Sequence, residues 1–136
     1  MLTIYNYGSN NNNDDTPLLI NKQLLYEYKE EGDSCLVNVK RELTRCLVDY
    51  KVFQKLQEVN NSFFVIVDYL DRDIYYTVAE VVKDKNVLLN NINLFLKPCK
   101  IYLPTEIYDA IYDSLQILIN IINKLIMILK SINKNQ

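Results

Sequence analysis

The sequence predicts an all-α protein, a compact bundle of about six to seven helices, on three observations. Apolar residues recur at intervals of three and four along nearly every segment. Capping and breaking residues punctuate those stripes at helix-sized intervals, from Thr16-Pro17 to Thr105. The stretch 111–132 is apolar around most of its circumference, as a helix surrounded by others would be.

Met1–Tyr7 is a short apolar-aromatic piece, and Ser9–Asp15 (SNNNNDD) is a polar linker with no means of packing. Thr16-Pro17 opens the first long helix, an N-cap hydroxyl followed by a proline whose missing N–H costs nothing there. It runs through Leu18, Leu24, Leu25 and Tyr28 and is expected to stop at Gly32. Asp33 or Ser34 caps the next helix, with Leu36, Val39, Leu43, Cys46, Leu47 and Tyr50 as its apolar stripe. Lys40, Arg41 and Arg45 lie opposite, with Lys51 and Lys55 nearby, a basic face that reads as solvated. A short turn around Val52, Phe53 and Leu56 leads to Asn60-Asn61-Ser62, a strong N-cap cluster.

Phe63–Val82 is rich in β-branched residues and tyrosine, which favour strands. Its periodicity is helical, through Phe63, Val67, Leu70, Ile74, Val78 and Val81, and a period of two fails at Asp68, Arg72 and Glu80. One long helix is expected. A second line on it, Val65, Tyr69, Arg72 and Tyr76, is either an interface or a surface covered by a second helix layer. Asn86–Lys97 reads as a further short helix ended by Pro98, and Cys99–Pro104 as a connector. Thr105 caps the longest helix, with Glu106 in its first turn to complement the dipole. There Ile111, Leu115, Leu118, Ile122, Leu125, Leu129 and Ile132 alternate four and three, and a strip through Gln116, Asn120, Asn123 and Lys130 is polar.

Composition narrows the function classes. At 49% hydrophobic and 24% charged residues, the 136-residue chain is expected to form one domain with a core of its own. Residues 1–16 stand apart from it as a short N-terminal segment with the asparagine-rich linker. Histidine is absent, which removes Ser-His and Cys-His nucleophile pairs and the commonest general base at neutral pH. Two glycines cannot build a phosphate-cradling loop. The chain therefore reads as a binding protein rather than an enzyme, with no cofactor and no metal expected. A net charge of −2 gives no general pull towards nucleic acid. Cys35, Cys46 and Cys99 form no C-x-x-C and read as reduced, buried hydrophobes. Met1–Gly8 lacks the basic and apolar regions of a signal peptide, so an intracellular, reducing compartment is expected. The codons of the abundant Asn, Ile, Lys and Tyr are AT-rich, which fits some large DNA viruses, slime moulds and parasites.

The stretch Leu24–Asn61 carries a family resemblance. Glu30-Glu31-Gly32-Asp33-Ser34-Cys35 falls between two amphipathic helices. A helix with Lys40 and Arg41 follows, then Phe53-Gln54-Lys55-Leu56 and Val59-Asn60-Asn61. This order resembles the small, homodimeric, intracellular poxvirus Bcl-2-like virulence factors, and Ser114-Leu115-Gln116-Ile117-Leu118 in the last helix is similar in place and character. The likeness covers about forty residues; Met1–Tyr7 is shorter and Asn86–Leu103 longer than the family pattern. The resemblance implies a Bcl-2-like bundle and a role in the host cytoplasm. There it would block apoptosis by receiving death-motif helices in a groove, or block innate signalling to NF-κB. It also implies an arginine that pairs with an aspartate of the ligand. Arg72 is nominated by its position in the middle helix, with Arg45 as the alternative.

A receiving surface is expected near Phe53, Leu56, Tyr69, Arg72 and Tyr76. Tyr69, Arg72 and Tyr76 share a face away from the core stripe, and Phe53 and Leu56 lie on the turn before that helix. Host pro-apoptotic or innate-signalling proteins are the expected partners, and the surplus apolar surface suggests a symmetric homodimer. Two rivals remain: a tail-anchored membrane protein and a self-assembling helical structural subunit. Against the first, the uninterrupted apolar span of the last helix is too short for a bilayer, and Asn120, Asn123 and Lys124 fall inside it.

Overall fold

The computed structural model describes residues 20–72 and 76–134, with side chains up to Ser131. Those residues form four helices: α1 (Lys22–Thr44), α2 (Tyr50–Asp71), α3 (Val78–Tyr102) and α4 (Thr105–Lys134). Each stripe repeats every three and four residues. In α2 it is Val52, Leu56, Val59, Phe63, Ile66 and Leu70; in α4 it is Ile111, Leu115, Leu118, Ile122, Leu125 and Leu129. All of these are buried, together with Leu25, Leu36, Val39 and Leu43 of α1 and Val81, Leu88, Ile92, Phe95 and Cys99 of α3. An average period near 3.5 packs helices side by side at shallow angles, so four such stripes close into one bundle.

Short connections make neighbours antiparallel. Lys22 Nζ, at the start of α1, donates to the carbonyls of Leu70 and Asp71 at the end of α2, at 3.1 and 2.8 Å. Each helix packs on two others, α1 on α2 and α4, α3 on α2 and α4, which is an up-down-up-down ring. Against the expected six to seven helices, the described residues form four. No described helix is surrounded, and α4 keeps an outer strip of Asp113, Ile117, Asn120, Lys124 and Met127 in solvent.

The corrections share one cause: local stop signals lie inside continuous stripes. α1 does not end at Gly32, and Asp33 and Ser34 cap nothing. A Cβ on Gly32 would overlap the Phe63 ring of α2, so the glycine permits a close approach between the two helices. α1 instead ends at Thr44, which leaves Leu47 and Tyr50 outside the core. Asn60-Asn61-Ser62 starts no helix either. Ser62 Oγ donates to the Glu58 carbonyl at 2.7 Å and accepts from Asn91 Nδ2 at 2.6 Å, so its hydroxyl is satisfied mid-helix. Val52, Phe53 and Leu56 lie within α2, whose N-cap Asp49 accepts from the Lys51 N–H at 2.9 Å.

Phe63–Asp71 and Val78–Val82 are helical but belong to two helices. α2 stops at Asp71, and Thr77 opens α3 with a reciprocal capping box to Glu80. Asn86–Lys97 belongs to α3, which continues through Pro98 to Tyr102. The break comes at Pro104, which disfavours helical backbone at the residue before it: Leu103 is extended, at φ −98° and ψ 149°. Thr105 is the first residue of α4, whose first turn bonds to the Pro104 carbonyl through the Ile107 and Tyr108 N–H groups. The Met1–Tyr7, Ser9–Asp15 and Thr16-Pro17 expectations lie outside the described residues, as do Ile74 and the Ile132 side chain.

Candidate interaction surface

The five residues expected to form one receiving surface lie at two ends of α2. Phe53 and Leu56 fall in its first two turns and Tyr69 in its last, about 20 Å away at 1.5 Å per residue. Leu56 and Tyr76 are core residues. The Tyr76 hydroxyl donates to Asp84, and its ring stands edge-on to Tyr69 at 5.3 Å. Burial, and then that carboxylate, raise the Tyr76 pKa well above the ordinary tyrosine value. Arg72 is exposed and supplies the C-cap of α2 with its own backbone N–H, bonded to the Asp68 carbonyl. No single groove unites these five.

Two surfaces take their place. One is a small cleft of about 160 Å³ between α1 and α2, lined by Leu36, Lys40, Phe53, Leu56, Gln57 and Asn60. Leu36 and Leu56 are its buried floor, Phe53 is half-buried and Lys40 stands in solvent. It holds the volume of one or two side chains rather than a helix.

The second is larger and runs along the α2–α3 seam. Glu58, Ser62, Val65 and Tyr69 share a face of α2, each three or four residues from the last. Val87, Asn91, Leu94, Pro98 and Ile101 share a face of α3 on the same spacing. Asn91 sets the register, its amide bonded to Ser62 Oγ and to the Glu58 carbonyl at 3.5 Å. Val65, Tyr69, Val87, Leu94 and Ile101 remain exposed along this seam. Val87, Leu94 and Ile101 are spaced by seven, the repeat with which one helix receives another. Lys83, Lys97 and Lys51 flank them in solvent.

Two of these residues, Val65 and Tyr69, were legible in the sequence. The α3 residues were not, because a helix ending at Lys97 excludes Ile101 and leaves two points instead of a line. The missed signal is that α3 carries two stripes offset by one residue, Val81–Leu88–Phe95 inside and Val87–Leu94–Ile101 outside.

The cysteines are free, with Cys35 and Cys99 buried and Cys46 half-buried. Burial pushes the Cys99 thiol up to about 12, and burial followed by Glu31 raises that of Cys35. Thiols held protonated in this way are poor nucleophiles. Among the described residues, no three of His, Cys, Asp and Glu cluster so as to hold a metal. By length and composition the stretch Thr105–Ser131 is long and apolar enough to cross a membrane, with a mean hydropathy of 1.4 over 18 of its residues. In the bundle its stripe is instead core.

No model of a known family matches the chain. No curated protein and no solved structure matches it either.

Proposed function

We propose that this four-helix bundle is a non-catalytic interaction module that receives a partner helix along the α2–α3 seam. The observation that carries the reading is the exposed line Val87–Leu94–Ile101, doubled by Val65 and Tyr69. Solvent exposure of a heptad-spaced row costs free energy that a partner helix would recover by covering it. Lys83, Lys97 and Lys51 suit a partner with acidic residues beside its apolar anchors.

A host-directed role, as in the poxvirus modulators of apoptosis and of signalling to NF-κB, is the specific form of this proposal. It rests on the sequence likeness alone. The Glu30–Cys35 stretch that carries the likeness lies inside α1 rather than at a joint between helices. The four-helix ring also offers no surrounded helix of the Bcl-2-like kind, so the module is the reading advanced here. A tail anchor has one observation in its favour, the length and hydropathy of α4.

The test is affinity capture from host-cell extract with the wild-type chain and with Val87→Asp/Leu94→Asp, followed by cross-linking of the captured protein. Partners are expected to cross-link to α2 and α3 and to be lost from the double variant, while its melting temperature stays close to wild type. Undiminished capture by the variant would refute the surface.

A further inference from the structure

The ring topology places the α1–α2 and α3–α4 connections at the same end of the bundle, opposite the start of α1. That end concentrates the apolar side chains most open to solvent. Leu47 is wholly exposed, and Tyr102, Ile101 and Tyr50 are 75%, 73% and 72% exposed. Elsewhere among the described residues only Met127 is comparable. In the loop 45–49, Cys46 and Val48 pack against the core, so Leu47 between them stands at the tip with no neighbour to cover it.

The same end is basic in an otherwise acidic chain. Within six residues of either connection lie Lys40, Arg41, Arg45, Lys51, Lys55, Lys97 and Lys100. They face Glu42, Asp49, Glu106 and Asp109, whereas the whole chain has 15 Lys and Arg against 17 Asp and Glu. Two of those acids are engaged: Glu42 pairs with Arg45 at 2.8 Å and Asp49 caps α2. Lys51, Lys55, Lys97 and Lys100 form no ion pair among the described residues.

We propose that this end docks on an anionic lipid surface, with Leu47, Tyr50, Ile101 and Tyr102 entering the interfacial layer and the lysines around them meeting acidic headgroups. A protruding tip of two aliphatic and two tyrosine residues beside a cationic collar is complementary to a charged bilayer. Apolar area supplies insertion, tyrosine rings favour the headgroup level, and long lysine stems let the ammonium groups reach the phosphates. Attraction then depends on headgroup charge and is screened by salt. In this orientation α4 stays within the bundle and crosses nothing. Val65, Tyr69, Val87 and Leu94 of the α2–α3 seam stay clear of the lipid, and Ile101 is the residue that the two surfaces share.

Vesicle flotation tests this directly, with phosphatidylcholine alone and with phosphatidylcholine containing phosphatidylserine. Flotation is expected only with the anionic vesicles and is expected to be reversed by high salt. Leu47→Asp and Tyr102→Asp should abolish it at unchanged melting temperature. Lys51→Glu/Lys100→Glu should weaken it by about tenfold or more, and Met127→Asp should leave it intact. Because the chain has no tryptophan, Leu47→Trp provides a single reporter. Its emission is expected to shift to the blue and to be quenched by brominated lipid in anionic vesicles. Several outcomes would overturn the proposal: no flotation, or equal flotation on neutral vesicles. Loss of flotation in Met127→Asp but not in Leu47→Asp would identify α4 insertion instead. A blue shift on raising protein concentration without lipid would identify a second copy as the occupant.

Discussion

Gly32 shows how one missing methyl group sets a helix spacing. Its Cα faces the fully buried Phe63 ring, and a Cβ there would lie well inside van der Waals contact. Alanine would gain about 1 kcal/mol of helix propensity and force apart two packed helices, a strain of about 1–3 kcal/mol. Gly32→Ala is therefore expected to lower the melting temperature, and adding Phe63→Leu to it should recover part of the loss. A second residue-scale outcome concerns the thiols. Native alkylation at neutral pH is expected to modify half-buried Cys46 first and to reach Cys35 and Cys99 only with denaturant. Cys99 also makes stability fall at high pH. Above about 9 the unfolded thiol loses its proton while the folded one keeps it to about 12, so the unfolded state binds fewer protons across that window. The buried Tyr76 acts in the same direction at higher pH. A pH series of denaturation midpoints should decline above about 9, less steeply in Cys99→Ala.

At the scale of elements, the boundaries come from side chains that satisfy terminal backbone groups. The division between α2 and α3 contains no glycine or proline in 71–77. What marks it is the Thr77–Glu80 box, in which Thr77 Oγ1 accepts from the Glu80 N–H and Glu80 accepts from the Thr77 N–H. Thr77→Ala is expected to cost about 1 kcal/mol in chemical denaturation, and Glu80→Gln much less, because glutamine preserves the reciprocal bond. A cost for Glu80→Gln equal to that for Thr77→Ala would show that charge, not the cap, matters there. The S/T-x-x-E pattern was present in the sequence. An apolar stripe runs past it through Leu70, Val78 and Val81, three residues that are all buried but on two helices.

For the whole molecule, the central question is where α4 resides. A bundle needs one apolar face, and a bilayer needs all of them. Leu118 is fully buried and Met127 is largely in solvent on the same helix. Leu118→Ala is expected to cost about 2–5 kcal/mol, whereas Met127→Asp should change the melting temperature little. Carbonate extraction of wild type and Met127→Asp separates the alternatives: an anchored α4 resists extraction and loses that resistance on substitution. The bundle predicts release of both.

The helical class and the inward faces were legible from residue spacing alone. Six of the seven α4 stripe residues, and Phe63, Val67, Leu70, Val78 and Val81, are buried as their spacing required. This follows from the hydrophobic effect acting on a 3.6-residue turn, which needs no knowledge of the partner surface. Tertiary structure decided how many helices there are and which residues meet. Gly32, Asn60-Asn61-Ser62 and Pro98 are stop signals in isolation. A cap or a breaker changes the balance by about 1–3 kcal/mol, less than the burial of several side chains in an unbroken stripe. Whether Gly32 ends a helix or seats Phe63, and whether Tyr69 and Tyr76 share one helix or meet from either side of the α2 end, depends on residues arriving from another helix. That information lies in the packing of four stripes against one another, and in no single segment.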